Sequence, residues 1–350
     1  MRKEIYPSLN GLRALSIIFV IFSHLKSELL NVPILSELFY YIGFLSDGQL
    51  GVNVFFVISG FLITILLLKE EKSHGKISLK KFYLRRFFRI FPAYYFLLLV
   101  YAVLSFFSII NISTISWLTA VTYTKYFNWN LDWFTAHAWS LSIEEHFYLM
   151  WPFIFLLGKK LRLFFLIGII TICPVFRVYG AINDTWMDGL TIFQRLDSIA
   201  LGCLVAIYYQ NICNLILRYK MQFIILAITW TLIFPHLTPL NIKYSLHLGW
   251  FTVPFGGSIG TVTNLSIVIF LIYSLNVKSN YFYSFLNSKP LNYIGLLSYS
   301  IYLWQQIFTS SLMFGKKMFP YNLIFITICS LISYYLIEKP FLKLKDKFSV

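Results

Sequence analysis

Apolar stretches of bilayer length recur along this chain, with short polar segments between them. Ten such stretches run over residues 9–28, 48–68, 90–110, 138–157, 163–178, 195–210, 221–236, 255–275, 291–313 and 321–337. The pattern predicts an all-α polytopic membrane protein of about ten transmembrane helices. The longest intervening segments, 29–47, 69–89 and 111–137, are too short to fold alone. No internal repeat or heptad stands out, so a single integral-membrane domain over residues 1–350 is expected.

The basic residues orient these spans. With the N-terminus placed in the cytoplasm, 21 of the 29 Lys and Arg fall on the inner side and 7 on the outer, with Arg13 inside the first span. Under the positive-inside rule this bias puts both termini in the cytoplasm. Composition agrees, with 58% hydrophobic residues, a mean hydropathy of +0.72 and only 12% charged residues, half the usual share for a soluble domain. The formal charge of +15 resides in short runs between apolar segments. That placement suits anionic lipid or phosphate and excludes a nucleic-acid-binding face. Four cysteines lie in or beside apolar segments with no CxxC pair and no His cluster, so neither a disulfide framework nor a metal site is expected. Arg13 interrupts the first apolar run and no small-x-small site follows it, which argues against a cleaved signal peptide.

Polar residues inside apolar runs carry the candidate chemistry, because a charge in a span needs a partner or a water-filled path. Arg13 and His24 are eleven residues apart in the first run. A helix sets them on one face, about 20° past three turns and about 16 Å apart in rise. They read either as pathway groups or as a snorkelling Arg and a hydrogen-bonded His. Arg86 and Arg89 stand at i, i+3 on the cytoplasmic border, level with Arg13. Three guanidiniums at one depth would suit phosphates or a diphosphate, the alternative being a basic stop-transfer cluster.

Residues 137–152, His-Ala-Trp-Ser-Leu-Ser-Ile-Glu-Glu-His-Phe-Tyr-Leu-Met-Trp-Pro, place Glu144 and Glu145 side by side within a span. By depth Glu144 is expected level with His24, where a carboxylate could orient an imidazole acting as general base. The alternative is a structural Glu pairing with Arg195 or a backbone group. Residues 195–202 open a helix on the outer side. There Asp197 would serve the helix N-terminus and Arg195 would pair or meet an acceptor, with structural support ahead of acceptor binding. The glycine-punctuated segment 48–61 allows close helix approach, and Asn53 and Ser59 either line a cavity or pack. Arg195, Asp197, His137 and Asn53 are the candidate acceptor-binding residues.

Taken together these motifs resemble the membrane acyltransferase-3 family, which includes O-antigen, exopolysaccharide and macrolide O-acetyltransferases. The resemblance rests on Arg13 with His24, Arg86 with Arg89, Trp139 to Pro152, Arg195 to Gly202, Leu297 to Trp304, and Ile337 to Phe341, in the family's order over almost the full length. It implies transfer of an acyl group, usually acetyl from acetyl-CoA, to a hydroxyl of a carbohydrate or similar acceptor at a bacterial cytoplasmic (inner) membrane. On that reading His24 is the general base and Glu144, or Glu145, orients it. Arg13, Arg86 and Arg89 would hold the phosphates of acyl-CoA, and an extended pantetheine arm would bridge Arg13 and His24. Three departures stand out: Asn53 where many relatives carry Asp, His146 where Gln is usual, and Gln305 after Trp304 where His is common. No attached extracytoplasmic esterase-like domain is expected, which implies a likeness to short, stand-alone members. The rival reading is a transporter or flippase of a lipid-linked or anionic sugar, disfavoured by the absence of an inverted repeat.

Overall fold

The first long helix pair shows why this chain packs as it does. The carboxylate of Asp47 accepts from Leu50 N (3.0 Å) and starts the helix Gly48–His74, which Gly75 ends in a left-handed turn at φ 72°. Ser78 then caps Leu79–Phe106 by accepting from Lys81 N. A computed structural model describes residues 6, 8–30, 47–127, 132–183, 191–231, 260–278, 280–310 and 319–348, and all regular elements among these are helical.

In chain order the helices are α1 (Leu9–His24), α2 (Lys26–Leu29), α3 (Gly48–His74), α4 (Leu79–Phe106), α5 (Thr114–Val121), α6 (Trp133–Ala136), α7 (Ala138–Leu156) and α8 (Lys159–Asn183). They continue as α9 (Thr191–Ile207), α10 (Tyr209–Arg218), α11 (Thr261–Asn276), α12 (Tyr281–Leu286), α13 (Lys289–Phe308), α14 (Tyr321–Ile332) and α15 (Lys339–Asp346). A π-helical turn, Ser333–Glu338, joins the last two.

Helix α1 lies between α3 and α13, and α3 packs on α9. Glycine permits both approaches. A Cβ on Gly60 would collide with the carbonyl of Ile199, and one on Gly202 with the carbonyl of Val57, so α3 and α9 touch backbone to backbone. The apolar core behind them includes Phe56, Tyr94, Phe147 and Trp151, and Trp151 Nε1 donates to Thr64 Oγ1 (3.0 Å). On the periphery Leu99, Val103, Phe106, Phe164 and Ile172 are exposed, an apolar exterior of the kind that faces lipid.

Among the described residues four helical segments are long and apolar enough to cross a membrane: Gly48–His74, Leu79–Phe106, Lys159–Ile182 and Tyr321–Asp346. A bent pair, Ile192–Ile207 with Tyr209–Arg218, makes five if counted as one span. The expected all-α membrane architecture stands, and among the described residues up to five of the ten expected spans have this length and hydropathy. The predicted span 195–210 is not continuous: it breaks at Tyr208 (φ −105°, ψ 28°) and turns by 93°. Helix α10 beyond the bend buries only Cys213 and Ile216, as befits an amphipathic helix lying along a surface. Helices α1 and α11 have sixteen residues each, short of the ~20 that a bilayer requires. The predicted spans 221–236, 255–275 and 291–313 extend beyond the described residues.

Candidate active site

One cavity of about 100 Å³ opens where α1, α3, α4, α7 and α13 meet, lined by Arg13, Ser59, Arg86, Arg89, Glu144, Tyr148, Tyr299 and Tyr302 among others. The i, i+3 spacing of Arg86 and Arg89 puts both on one side of α4, where they line the cavity together with Arg13. Arg86 lies over the rings of Tyr148 (5.0 Å) and Phe82 (5.8 Å), where its charge meets two aromatic faces. Arg89 Nη1 is 3.2 Å from Glu338 Oε1, and Ser300 Oγ donates to the other oxygen of that carboxylate (2.9 Å). The π turn presents Glu338 at this point. Such a turn is a recurrent way of re-aiming a side chain at a site.

Glu144 accepts from Tyr148 Oη (3.1 Å) and shares the cavity lining with Ser59, with the charges of Arg86 and Arg13 acting on it. Glu145, its neighbour, turns away from the cavity. Its Oε1 has no hydrogen-bonding partner among the described residues, while Arg86 acts on its charge. The three guanidiniums are thus partly offset by two carboxylates, Glu144 in the cavity lining and Glu338 against Arg89. A diphosphate entering here competes with carboxylates, which an uncompensated arginine cluster would not require.

The far end of α1 has a different character. His24 Nδ1 lies 2.6 Å from Gln305 Oε1, and its ring meets Trp133 edge-on at 5.5 Å. His137 at the start of α7 is buried, sits edge-on to Tyr302 at 5.7 Å, and is close enough to His24 to feel its charge. Tyr302 Oη donates to the His137 carbonyl (3.0 Å) and lies 2.6 Å from Ser140 Oγ.

The expected pairing of His24 with Glu144 is not formed. His24 stands level with His137, and Glu144 is seven residues further along α7, about 10 Å deeper by helical rise. The partner of the imidazole is a neutral amide. Beneath it, the Lys125–Asp132 ion pair (2.7 Å) and hydrogen bonds from Thr135 fix the turn that carries Trp133. Burial acts to raise the Asp132 carboxyl, but the bonds from Lys125 and Thr135 prevail and hold it below the usual carboxylate range.

A family model described as an acyltransferase domain matches residues 6–338, which contain every residue of the cavity and of the His24 end. The chain belongs to the acyltransferase-3 family. It is 29% identical over 374 residues to O-acetyltransferase OatA of Staphylococcus aureus, covering 96% of this chain and 57% of that protein. It is 28% identical over 329 residues to peptidoglycan O-acetyltransferase OatA of Listeria monocytogenes, covering 86% of this chain and 49% of that one. The chain therefore spans about half the length of these curated relatives. No solved structure matches it.

The remaining predicted residues of this family member are not among those that line the cavity. Asp197 is fully buried in an ion pair with Arg177 (2.6 Å) and accepts from Thr261 Oγ1 (2.7 Å). Arg195 donates to Gln49 Oε1 (2.8 Å) and lies over the Trp139 ring (5.2 Å), so the alternative in which it pairs with Glu144 is replaced by an amide and an aromatic face. Asn53 is buried on α3 beside Val52, which lines the cavity. Ser59, expected either to line a cavity or to pack, lines it, whereas several contributors carry no signal of their own in the sequence: Tyr148, Tyr302, Gln306 and Glu338. Of these, Tyr302 and Glu338 fall in the two C-terminal motifs, where the resemblance marks position but not partner.

Proposed function

We propose that this acyltransferase is an O-acetyltransferase of the bacterial cytoplasmic membrane, moving acetyl from acetyl-CoA to a hydroxyl of a cell-envelope carbohydrate. On this reading its helices form about ten spans with both termini in the cytoplasm. The relative from Listeria monocytogenes is named for peptidoglycan, which makes that polymer the first acceptor to try. The observation that carries the reading is the distribution of groups along α1: a guanidinium cavity around Arg13 at one end, and an imidazole held by a neutral acceptor at the other.

In the proposed reaction His24 takes the proton of the acceptor hydroxyl as its oxygen bonds to the thioester carbonyl carbon. The C–S bond then breaks and the proton passes from the imidazolium to the departing thiolate. Arg13, Arg86 and Arg89 bind the donor. On this reading Glu144 offsets the charges of Arg13 and Arg86 instead of orienting the base, and His137 and Arg195 serve the acceptor.

The test uses the protein in nanodiscs with radiolabelled acetyl-CoA and muropeptide acceptors. His24→Gln is expected to lower turnover by roughly 10²–10⁴-fold with the fold intact. The Arg86→Ala, Arg89→Ala double variant should instead raise KM for the donor. Near-normal turnover in the His24 variant removes the base assignment. An acceptor that crosses the bilayer while acetyl-CoA is left unconsumed favours the transport reading.

A further inference from the structure

The partner of His24 is the first member of a chain of amides that ends on a backbone carbonyl. Gln306 Nε2 lies 2.7 Å from the carbonyl oxygen of Trp133. A carbonyl only accepts, so the amide of Gln306 must present its NH₂ there and turn Oε1 the other way. Gln305 Nε2 lies 3.0 Å from that Oε1. This oxygen also only accepts, so Gln305 too has its orientation set, with its own Oε1 directed at the imidazole. His24 Nδ1, 2.6 Å away, must then be the donor. A neutral imidazole carries a single ring proton, so Nε2 is left bare.

The anchor of the chain is held independently. Trp133 Nε1 donates to the Gln306 carbonyl (2.8 Å), which ties the two residues together in both directions. Thr309 Oγ1 donates to the Gln305 carbonyl (3.0 Å). Both glutamines are buried, at 0% and 2% exposure, so water offers no competing set of partners. Each amide in the chain has a donor and an acceptor end, and reversing any one would set two acceptors or two donors against each other.

We infer that Gln305 and Gln306 are positioning residues that fix the ring proton of His24 on Nδ1, leaving Nε2 as its sole basic nitrogen. The inference rests on the proposed role of His24 and adds to it. In a His–carboxylate pair the acid both sets the tautomer and stabilises the imidazolium. Here an uncharged relay supplies the first effect without adding an anion to a buried site. It also assigns a task to Gln305, a buried amide that the proposed reaction otherwise leaves unused.

The experiment is NMR on the full chain in nanodiscs with ¹⁵N-ring-labelled histidine, paired with steady-state kinetics. The His24 resonances are assigned by their loss in His24→Gln. The wild type is expected to show the Nδ1–H tautomer, and finding Nε2–H instead overturns the relay without recourse to any other variant. Gln305→Met, similar in length but without an acceptor, should give mixed tautomers and lower kcat by on the order of 10–10²-fold, with both KM values within about twofold. Gln305→Glu keeps the accepting oxygen and should restore both tautomer and turnover. Gln306→Met touches neither ring nor substrate, yet should shift the tautomer in the same sense; it also serves if Gln305→Met does not fold. Unchanged tautomer and kcat in Gln306→Met and Gln305→Met reject the relay. Activity surviving in His24→Gln would instead reject the base assignment, so the two failures are told apart.

Discussion

Arg177 and Asp197 are both fully buried, and the nitrogen–oxygen distance between them is 2.6 Å. Breaking such a pair from one side leaves a desolvated charge without compensation, at a cost of about 3–5 kcal/mol. Asp197→Ala is accordingly expected to lower the unfolding midpoint in detergent sharply, while the folded fraction keeps its KM for the acceptor. A raised KM at unchanged stability would return Asp197 to the acceptor site. The contrast with Arg13, His24, Arg86, Arg89 and Glu144 shows what can be read from residues alone. Each is a costly group in an apolar run, and cost marks it without reference to the rest of the chain. Partners are another matter. Glu338 meets Arg89, and Gln305 meets His24, across most of the chain's length. A neutral glutamine advertises nothing, and the relative shift of two helices along their axes is absent from either segment. That shift is why Glu144, placed by depth beside His24, lies instead with Ser59 and Tyr148.

Elements explain how these groups are held at fixed depth. The contact between α3 and α9 is backbone on backbone, with Gly60 set against Ile199 and Gly202 against Val57. The glycine-punctuated pattern pointed to close packing, and in this stretch local composition and tertiary contact agree. Gly60→Ala inserts a methyl where a carbonyl oxygen already lies, so the helices must separate. Overpacking of this kind costs about 1–3 kcal/mol, more when backbone is the obstacle. The expected outcome is a lower melting temperature in detergent and reduced kcat, since Ser59 on the same turn contributes to the cavity. A variant as stable as the wild type would mean that α3 and α9 can slide without loss. The helix ends were less legible than the contact. The 93° turn after Ile207 interrupts an apolar run that reads as continuous, because hydropathy counts residues and not their direction. The π turn at Ser333–Glu338 has no periodicity by which to recognise it.

At the scale of the whole molecule the two ends of α1 present a geometric problem that the fold must solve. The guanidinium cavity and His24 are about 16 Å apart in helical rise, yet acyl transfer needs reacting atoms within about 3–3.5 Å. Between the two ends lies Tyr302, which lines the cavity with its ring and bonds through Oη to the His137 carbonyl and Ser140. Its hydroxyl therefore ties α13 to α7 at the level a donor arm would have to pass. Tyr302→Phe keeps the ring but removes both bonds, each worth on the order of 1 kcal/mol net, or about fivefold in an equilibrium. If this layer separates donor from water until the acceptor is in place, the variant should hydrolyse acetyl-CoA without acceptor several times faster than the wild type. Transfer to acceptor should fall, and both activities should still require His24. The measurement is the ratio of free acetate to acetylated product, taken with and without acceptor. An unchanged ratio in Tyr302→Phe would mean that the Tyr302–Ser140 contact only braces two helices, and that the path between the ends of α1 runs elsewhere.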